Sequence, residues 1–349
     1  MVSIANNKTV VLLQRPTGHA VAGVHVGVKH KELDTSLNEG DILVRNIYVS
    51  VDPYLRGRME VVEGQPVQPF EIDHPFDSFG ISEVIESRNS KFPVGTLVTS
   101  PFIKWEERSV VPVNATSILT VLPPEVRDST IPLSAYISVL GMHGFTAYGS
   151  LIDIGELKVG ETIFISAAAG AIGQLVGQIA KLKGLRVIGS TSSDAKAEFL
   201  RQELKFDVAI NYKKGSLVES LRAAAPEGVD IYYDNVGGDL LDAALEVIKP
   251  HGRILACGMV SGYNTKEGYA YKNLFRIVTK RLTIKGFLVQ EFDPALQERF
   301  AKDVRTWLLN GDIRYKEDIT EGLEAAPEAF VGIFEGKNVG KAVVKIADL

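Results

Sequence analysis

The chain has 349 residues, of which 45% are hydrophobic and 23% charged, and its formal net charge is −5. This length supports two domains with separate cores, and the acidic balance without a long basic block excludes a nucleic-acid partner. The single cysteine, Cys257, excludes an intrachain disulfide and a multi-cysteine zinc site, and it predicts a reducing, cytoplasmic location.

Residues 1 to about 125 are predicted to be rich in strands, because their apolar runs carry β-branched and aromatic residues between Gly, Pro and Asn. These runs are KTVVLLQ, DILVRNIYVSV, GISEVIES, GTLVTSPFIKW and ERSVVPV. The opening stretch, MVSIANNKTVVLLQR, has neither a charged n-region nor an apolar run of signal length. The pattern predicts a β-rich domain of barrel or sandwich type.

From about residue 130, short apolar runs alternate with helical segments, which predicts four parallel βαβ units. The stretch TIFISAAAGAIGQLVGQIA (162–180) contains Gln174, Gln178 and three glycines. We interpret it as a strand, a turn and a helix rather than a membrane span, and we expect no membrane partner. The C-terminal part, from WLLNGDI to GKAVVKIADL, is predicted to rejoin the first domain. The expected domains are therefore 1–128 with 310–349, β-rich and catalytic, and an inserted nucleotide-binding domain, 129–309.

A glycine turn in SAAAGAIGQLVG predicts a dinucleotide site. Gly170, Gly173 and Gly177 lie between a predicted strand and a predicted helix, and Ala167 replaces the first glycine of the usual fingerprint. Such a turn lets the backbone approach a pyrophosphate, and the helix N-terminus offers N–H groups to it. We expect the residues of this turn to bind the cofactor: Ala169, Gly170, Ala171, Ile172 and Gly173.

The end of the second strand, IGSTSSDAK, indicates which dinucleotide is bound. A site for NAD normally has an acid there, but the sequence has serines and a threonine, followed by Asp194 and Lys196. Asp194 is explained by the dipole of the next helix, which Lys196 opposes. Hydroxyl groups and a lysine suit a 2′-phosphate, so NADPH is expected, although Lys196 as a solvated surface residue is the alternative.

Several segments together resemble the zinc-independent medium-chain dehydrogenase/reductases, and most closely the NADPH-dependent double-bond reductases, also called alkenal or prostaglandin reductases. These segments are SAAAGAIGQLVGQIAKLKG, DNVGG, HGRILACGMVSGYN, GKNVGKAVVKI, VDPYLRGRM and LGMHGFTAYGSL. The resemblance implies an α/β fold, with a doubly wound Rossmann domain inserted in a GroES-like β-barrel domain. It also implies a homodimer that uses NADPH to reduce the carbon–carbon double bond of a small enal or enone.

The resemblance further implies which residues form the site. Lys196 and Tyr212 would hold the 2′-phosphate, beside Ser192, which stands where the family often has glycine. Tyr54 and Tyr263 would face the substrate. Other residues would line the cofactor: Asn235, Cys257, Gly258, Met259, Val260, Ser261, Phe287, Leu288, Val289 and Asn338. Two departures from the subgroup, His143 in place of proline and the segment 61–80, bear on substrate preference.

Tyr263 is the expected catalytic donor, because hydride transfer to the β-carbon leaves charge on the carbonyl oxygen as an enolate. The residue follows the predicted strand GRILACG, at the carboxyl end of the sheet where ligands bind in open α/β folds. A tyrosine that only packs on its neighbours is the alternative. For Tyr54 the alternative is a turn aromatic covering the barrel core. Arg56 and Arg58 are expected to pair with acids.

No metal is expected. Zinc-dependent relatives carry an early Gly-His-Glu signature, and the corresponding run here is DSFGISEV. The histidines do not match zinc-ligand spacing; they are His19, His25, His30, His74, His143 and His251. Two further hypotheses are kept: a quinone reductase of the same fold, and a protein that binds NADPH without catalysis.

Overall fold

The computed structural model describes residues 4–62, 64 and 67–349. The chain divides into two compact units. Unit 1 comprises Met1–Ile137, Asp318–Asn338 and Ala342–Leu349, and unit 2 comprises Ser138–Glu317 and Val339–Lys341. The domain limits predicted from the sequence, at 128/129 and 309/310, stay predictions. Over the described ranges, no helix is both long enough and apolar enough to span a membrane.

Unit 1 is built mainly on antiparallel strands. They are β1 (Ile4–Leu12), β2 (Val26–Asp34), β3 (Ile42–Ser50), β4 (Asp77–Ser87), β5 (Leu97–Lys104), β6 (Arg108–Val111), β7 (Thr120–Val121), β14 (Glu317–Glu321) and β15 (Lys341–Lys345). β1 pairs with β2, and a seven-stranded sheet has the order β14-β15-β3-β4-β5-β7, with β6 also paired to β3. Because β15 pairs with β3, the C-terminal segment returns to the N-terminal sheet, as predicted.

Aromatic residues form much of the core of unit 1. Trp105 is fully buried, and its indole N–H donates to the hydroxyl of Ser78 at 2.8 Å. Phe70 stacks on Phe76 with ring centroids 4.2 Å apart. Phe330, from the helix α9 (Ala326–Gly332), meets Phe76 edge-on at 5.7 Å. The C-terminal part of the chain therefore contributes directly to the core of the N-terminal domain.

A one-turn helix, α1 (Leu55–Arg58), carries the two arginines of VDPYLRGRM. Arg56 is buried and forms an ion pair with Glu60 at 2.9 Å. Arg58 pairs with Asp77 at 2.6 Å, and its guanidinium lies 4.0 Å from the centre of the Phe70 ring. The prediction that both arginines pair with acids is confirmed.

Unit 2 contains a six-stranded parallel sheet of order β10-β9-β8-β11-β12-β13. Its strands are β8 (Thr162–Ile165), β9 (Arg186–Thr191), β10 (Val208–Asn211), β11 (Val229–Asp234), β12 (Ile248–Ala256) and β13 (Thr283–Gly286). The chain begins in the middle of the sheet and winds outward in both directions, so the predicted doubly wound fold is confirmed. The order reverses between β8 and β11, which is where such folds bind their ligands.

Helices connect these strands and pack against them. They are α2 (Met142–Gly149), α3 (Gly173–Leu182), α4 (Asp194–Gln202), α5 (Leu217–Ala224), α6 (Gly238–Val247), α7 (Arg276–Lys280) and α8 (Ala295–Asn310). His143, the departure from the subgroup's proline, is a buried residue in the first turn of α2. A proline is tolerated at such a position, because the N–H groups of a first turn have no partner within the helix.

The stretch 162–180 forms β8, a turn and most of α3, as predicted. The two glutamines that argued against a membrane span are buried on α3. The side-chain amide of Gln174 donates to the carbonyl of Lys316 at 3.1 Å and accepts from its N–H at 2.9 Å. Gln178 makes the same pair of bonds to Arg314, at 2.7 and 2.8 Å. These buried amides therefore tie α3 to the segment that precedes β14.

Strand β13 was not predicted from the sequence. Its four residues, Thr283–Gly286, are all exposed, and it pairs only along β12 in the described sheet. An edge strand outside the covered part of a sheet does not need the continuous apolar run that the other strands show. The usual sequence signal is therefore missing.

Candidate active site

Five further strand ends lie beside the glycine turn, because the sheet of unit 2 is parallel and all its carboxyl ends share one edge. Each strand is followed at once by residues that the sequence analysis assigned to the cofactor: Ala169–Gly173 after β8, Ser192 after β9, Tyr212 after β10, Asn235 after β11, Cys257–Ser261 after β12, and Phe287–Val289 after β13. The structure therefore brings these residues of unit 2 to a single edge of one sheet, whereas Lys196 lies in the first turn of α4, the helix that follows β9.

The glycine turn between β8 and α3 is tight. Ala167, at the fingerprint's first glycine, has a φ of 46°, in the left-handed region that favours glycine. A Cβ on Gly173 would lie 2.5 Å from the carbonyl oxygen of Ala167, and one on Gly177 would lie 2.0 Å from the Phe206 ring. The second and third glycines are thus required by close approach of the backbone and by packing of α3.

The first turn of α3 fits a pyrophosphate. The helix has ten residues and no acid in its first turn, so its positive dipole end is not neutralised by a carboxylate of its own. The carbonyl of Ala169 accepts from the N–H of Gly340 at 2.8 Å, within the same unit. The turn is therefore anchored on one side and leaves the helix start to a ligand.

The residues after β9 and β10 are those predicted to bind a 2′-phosphate. The N–H of Tyr212 donates to the carbonyl of Thr191 at 3.1 Å, beside Ser192, and burial raises the pKa of Tyr212. Ser193 caps α4 by accepting from the N–H of Lys196 at 3.3 Å. The Lys196 side chain is only 8% exposed, so the alternative interpretation as a solvated surface lysine is wrong.

Asp194 does not take the place of the ribose-binding acid. One carboxylate oxygen accepts from the amide of Asn211 at 3.0 Å, and the other pairs with Lys214. These contacts, with Asn211 the larger cause, hold the pKa of Asp194 below its ordinary value. The carboxylate is thus engaged at the surface, and the strand end keeps the hydroxyl groups and the lysine that fit a phosphate.

Asn235 and the loop after β12 are held together. The side-chain amide of Asn235 donates to the carbonyl of Ser166 at 2.7 Å, and the carbonyl of Asn235 accepts from the N–H of Val260 at 3.3 Å. The hydroxyl of Ser261 donates to the carbonyl of Val236 at 2.6 Å. The connection after β11 therefore supports the loop that carries Tyr263.

Tyr263 follows a single 3₁₀ turn, Val260–Gly262, and is partly buried. Its hydroxyl oxygen accepts from the N–H of Met259 at 3.5 Å, which leaves the hydroxyl proton available to another acceptor. Burial, followed by the nearby Cys257 and Asp234, raises the pKa of Tyr263 above its ordinary value. The side chain is therefore a neutral hydrogen-bond donor at physiological pH.

Cys257 is not arranged as a nucleophile. Burial raises the pKa of its thiol to about 12. A thiol is reactive as its thiolate, which this environment disfavours. Phe287, further along the same edge, packs edge-on against Tyr233 with ring centroids 6.3 Å apart.

Two of the predicted residues, Tyr54 and Asn338, belong to unit 1. Tyr54 precedes α1 and packs against the core of that unit, and burial raises the pKa of its hydroxyl. Packing against the core is what the alternative interpretation of Tyr54 expected. Asn338 is partly buried and follows the last turn after α9. The segment 61–80, predicted to affect substrate preference, includes residues 63, 65 and 66, which lie outside the described residues.

The sequence analysis did not single out Asp234, the acid of DNVGG. Its side chain is completely buried, and one carboxylate oxygen accepts from the N–H groups of Val236 and Gly237 at 2.9 and 2.8 Å. The available signal was an acid that ends an apolar strand three residues before two successive glycines. In the part of the chain that the structure describes, no cluster of three or more His, Cys, Asp or Glu side chains could hold a metal ion.

Comparisons with known proteins agree with this geometry. A family model described as a zinc-binding dehydrogenase matches residues 171–308, and one described as the N-terminal domain of an oxidoreductase matches residues 8–119. Over 350 residues the chain is 40% identical to the 2-alkenal reductase (NADP(+)-dependent) of Nicotiana tabacum, with 99% of each chain covered. Over 312 residues it is 41% identical to prostaglandin reductase 1 of Rattus norvegicus, which covers 88% of this chain and 90% of the relative.

A solved structure extends the comparison. CurA of Vibrio vulnificus, determined in complex with NADPH, is 34% identical and superposes with a TM-score of 0.89, over 98% of this chain and 100% of that chain. The chain therefore belongs to the medium-chain dehydrogenase/reductase family, in its subgroup of NADPH-dependent double-bond reductases.

Proposed function

We propose that this protein uses NADPH to reduce the carbon–carbon double bond of α,β-unsaturated aldehydes and ketones. The observation that carries the proposal is the shared edge of the parallel sheet. Turns suited to a pyrophosphate and a 2′-phosphate lie there with a buried, protonated tyrosine. The relatives named 2-alkenal reductase and prostaglandin reductase 1 support this reaction class for the chain.

The cofactor is expected to be held by this chain's own turns. Ala169–Gly173 would bind the pyrophosphate at the start of α3, and Ser192, Lys196 and Tyr212 would bind the 2′-phosphate. Asn235, Cys257–Ser261 and Phe287–Val289 would line the remainder, together with Asn338, which the family resemblance alone assigns. When bound, NADPH supplies the hydride that the β-carbon of the substrate accepts. The three serines and the threonine at the strand end favour NADPH over NADH because no carboxylate there would repel the phosphate.

Tyr263 would act on the substrate's carbonyl oxygen. As the β-carbon gains hydride, negative charge moves to that oxygen, and a donor already in position lowers the barrier. The enolate then takes up a proton at its α-carbon, from Tyr263, from water or from a ribose hydroxyl, which gives the saturated product. The raised pKa of Tyr263 suits this role, because the phenol keeps its proton and offers it as a hydrogen bond. Tyr54 is proposed from family resemblance as a second residue that faces the substrate.

We propose that the reaction needs no metal. The run DSFGISEV, where zinc-dependent relatives carry their Gly-His-Glu signature, lies in β4, and Ser78 and Ser82 in that run are occupied by hydrogen bonds inside unit 1. Carbonyl polarisation would then come from a hydroxyl group rather than from a Lewis acid. The family model that matches residues 171–308 is described as a zinc-binding dehydrogenase, but under this proposal the chain itself uses no zinc.

A homodimer and a cytoplasmic location are also proposed. β13 ends the parallel sheet with four exposed residues, and apolar side chains around it are exposed, Phe275 by 72%, Val278 by 67% and Ile284 by 44%. An exposed apolar edge strand is a template for pairing with a second chain, and a second copy of the same edge is the simplest partner. The cytoplasmic location rests on the single cysteine, whose thiol is free.

The test of the reaction is the fate of a labelled hydride. Purified protein would be incubated with a trans-2-alkenal and NADPH carrying deuterium at C4 of the nicotinamide, and the product analysed by mass spectrometry and NMR. The proposal expects a saturated aldehyde with deuterium at the β-carbon. Deuterium at the carbonyl carbon of an allylic alcohol would contradict it.

Parallel assays separate the other candidates. A simple quinone reduced with a much higher kcat/KM than the alkenal would favour the quinone reductase. Tight NADPH binding, measured by fluorescence, without turnover of an enal, an enone or a quinone would favour the binding protein.

A further inference from the structure

Asp234 lies at the centre of the connections on which the proposed active site depends. It is the last residue of β11 and is completely buried, and its carboxylate oxygen Oδ1 accepts three hydrogen bonds shorter than 3.0 Å, besides a longer one of 3.5 Å from the hydroxyl of Ser166. The donors of the three shorter bonds are the N–H of Val236 at 2.9 Å, the N–H of Gly237 at 2.8 Å and the hydroxyl of Tyr232 at 2.8 Å. The carboxylate thus closes the turn between β11 and α6.

This turn needs an external constraint. Gly237 and Gly238 have φ values of 67° and 52°. In an unfolded chain, each of these two successive glycines would sample many other conformations as readily as this one. Fixing such residues costs more conformational entropy than fixing any other pair. The bonds from Asp234 hold the turn in one of these conformations.

The same residue reaches the loop that carries Tyr263. The main-chain oxygen of Asp234 accepts from the N–H groups of Cys257 and Gly258 at 2.8 and 3.0 Å. The next two carbonyls of the turn also accept hydrogen bonds from this loop. The carbonyl of Asn235 accepts from the N–H of Val260 at 3.3 Å, and the carbonyl of Val236 accepts from the N–H of Ser261 at 3.1 Å. Tyr263 in turn donates its N–H to Val260 at 3.3 Å. A continuous set of hydrogen bonds therefore runs from the carboxylate to the tyrosine.

The carboxylate is a costly way to stabilise a fold. Its second oxygen, Oδ2, has no hydrogen-bond partner among the described residues, and burial raises the pKa of the group. A buried acceptor left without a donor lowers stability, and so does a buried charge without a counter-ion. The hydrogen bonds that Oδ1 accepts therefore explain an acid at this position better than a contribution of the carboxylate to overall stability does.

We propose that Asp234 is a positioning residue for hydride transfer, which fixes the Asn235–Gly238 turn and through it the loop of Tyr263. The inference rests on the proposed function, because the reaction whose groups are positioned is the proposed reduction of the carbon–carbon double bond. Asp234 itself is not expected to touch the substrate. A shift of reacting groups by about 1 Å can lower a rate by about a hundredfold, so a loosened turn is expected to affect turnover.

The experiment compares Asp234→Asn and Asp234→Ala with a matched control, Asp242→Asn. Asp242 is also a buried acid of unit 2, and its carboxylate accepts from the N–H groups of Lys272 and Asn273 at 3.1 and 2.8 Å, but it holds a different loop. The measurements are hydrogen–deuterium exchange of peptides that contain residues 235–238 and 257–263, the NADPH dissociation constant, and kcat and KM with a trans-2-alkenal.

We expect Asp234→Ala to speed exchange in both peptides by about tenfold or more, because a fixed turn becomes locally open. Its kcat should fall by about tenfold to a hundredfold, with KM for the alkenal within about threefold of wild type. Asp234→Asn should recover part of kcat, because its amide oxygen can still accept from Val236 and Gly237. Asp242→Asn should leave kcat and the exchange of residues 235–238 within about twofold of wild type.

Wild-type exchange and kcat in a folded Asp234→Ala protein would overturn the proposal. So would an equal loss of kcat in Asp242→Asn, or failure of both Asp234 variants to fold, since either would make the residue a general contributor to stability. The proposed function can fail separately, if wild type reduces no enal. In that case the exchange data and the NADPH affinity still decide whether Asp234 fixes the two connections.

Discussion

The main-chain N–H of Tyr212 donates to the carbonyl of Thr191 at 3.1 Å across the ends of two adjacent parallel strands, β9 and β10, which places Tyr212 beside Ser192. Ser193, the next residue, caps α4 and so sets the position of Lys196 in the first turn of that helix. The segment that follows β9 therefore carries hydroxyl groups and a lysine, and it has no acid at the strand end, where an NAD-specific protein would place one. This arrangement is the structural basis of the predicted preference for NADPH.

Replacing Lys196 should weaken the use of NADPH without affecting the use of NADH. A charge-assisted hydrogen bond is worth about 1.5–3 kcal/mol, or roughly tenfold to a hundredfold in affinity. Lys196→Ala should raise KM for NADPH by that factor and leave KM for NADH nearly unchanged, in steady-state assays with one enal. Lys183→Ala, an exposed lysine at the C-terminal end of α3, is the charge-matched control. Equal losses with both cofactors would give Lys196 a structural role.

Removing the hydroxyl of Tyr263 should lower turnover more than cofactor binding. Loss of one oxyanion donor typically costs ~10²–10³ in rate. We expect about tenfold to a hundredfold for Tyr263→Phe, because water or a ribose hydroxyl can partly replace the donor. kcat would be measured with an enal, and NADPH affinity by fluorescence. Tyr269→Phe, whose hydroxyl bonds Asp239 instead, is the control. An unchanged kcat with a raised substrate KM would make Tyr263 a pocket wall.

The pH dependence of kcat should follow from the same tyrosine. Its pKa is raised above the ordinary value of 10.0, chiefly by burial, so the donating, protonated form persists to higher pH than in a free tyrosine. We therefore expect no loss of kcat from deprotonation of Tyr263 between about pH 6 and pH 9, and a decline only in more alkaline solution. A decline of kcat below pH 9 that Tyr263→Phe abolishes would contradict the direction of this shift.

Ala167→Gly should stabilise the protein. A non-glycine residue in the left-handed region costs roughly 1–2 kcal/mol, and the greater chain entropy of glycine takes back about 0.4–1 kcal/mol. The net gain should be about 0.5–1 kcal/mol, which corresponds to about 1–4 °C in Tm for a domain of this size. Ala301→Gly, at an exposed position inside α8, should lower Tm instead. Differential scanning calorimetry measures both, and a lower Tm for Ala167→Gly would show that the left-handed backbone is not strained.

Metal removal should have no effect on a protein without a ligand set. Prolonged treatment with a chelator, followed by dialysis, is expected to leave kcat and Tm unchanged. Elemental analysis of the untreated protein provides the matching control. Activity that is lost on chelation and restored by zinc would mean that the histidines have been misinterpreted.

The sequence by itself determined the fold class and the nature of the cofactor site. Short apolar runs such as TIFI, bounded by turns and separated by helical segments, indicate strands covered on both faces, and a glycine turn between strand and helix limits what can bind there. Ser192 and Lys196 were found because local rules about helix dipoles and strand ends make their presence unusual. All these signals are carried by residues close together in the chain.

Only the tertiary structure decided which distant residues meet. β13 has no apolar pattern because it lies at an exposed edge, and its place in the sheet follows from its pairing with β12. The burial of Lys196 depends on packing around α4, and the position of Tyr212 beside Ser192 depends on the register of β9 and β10. The role of Asp234 in holding two connections is likewise a property of strand order. A sequence pattern records the local environment of a residue, whereas these contacts join segments whose separation in the chain leaves no periodic signal.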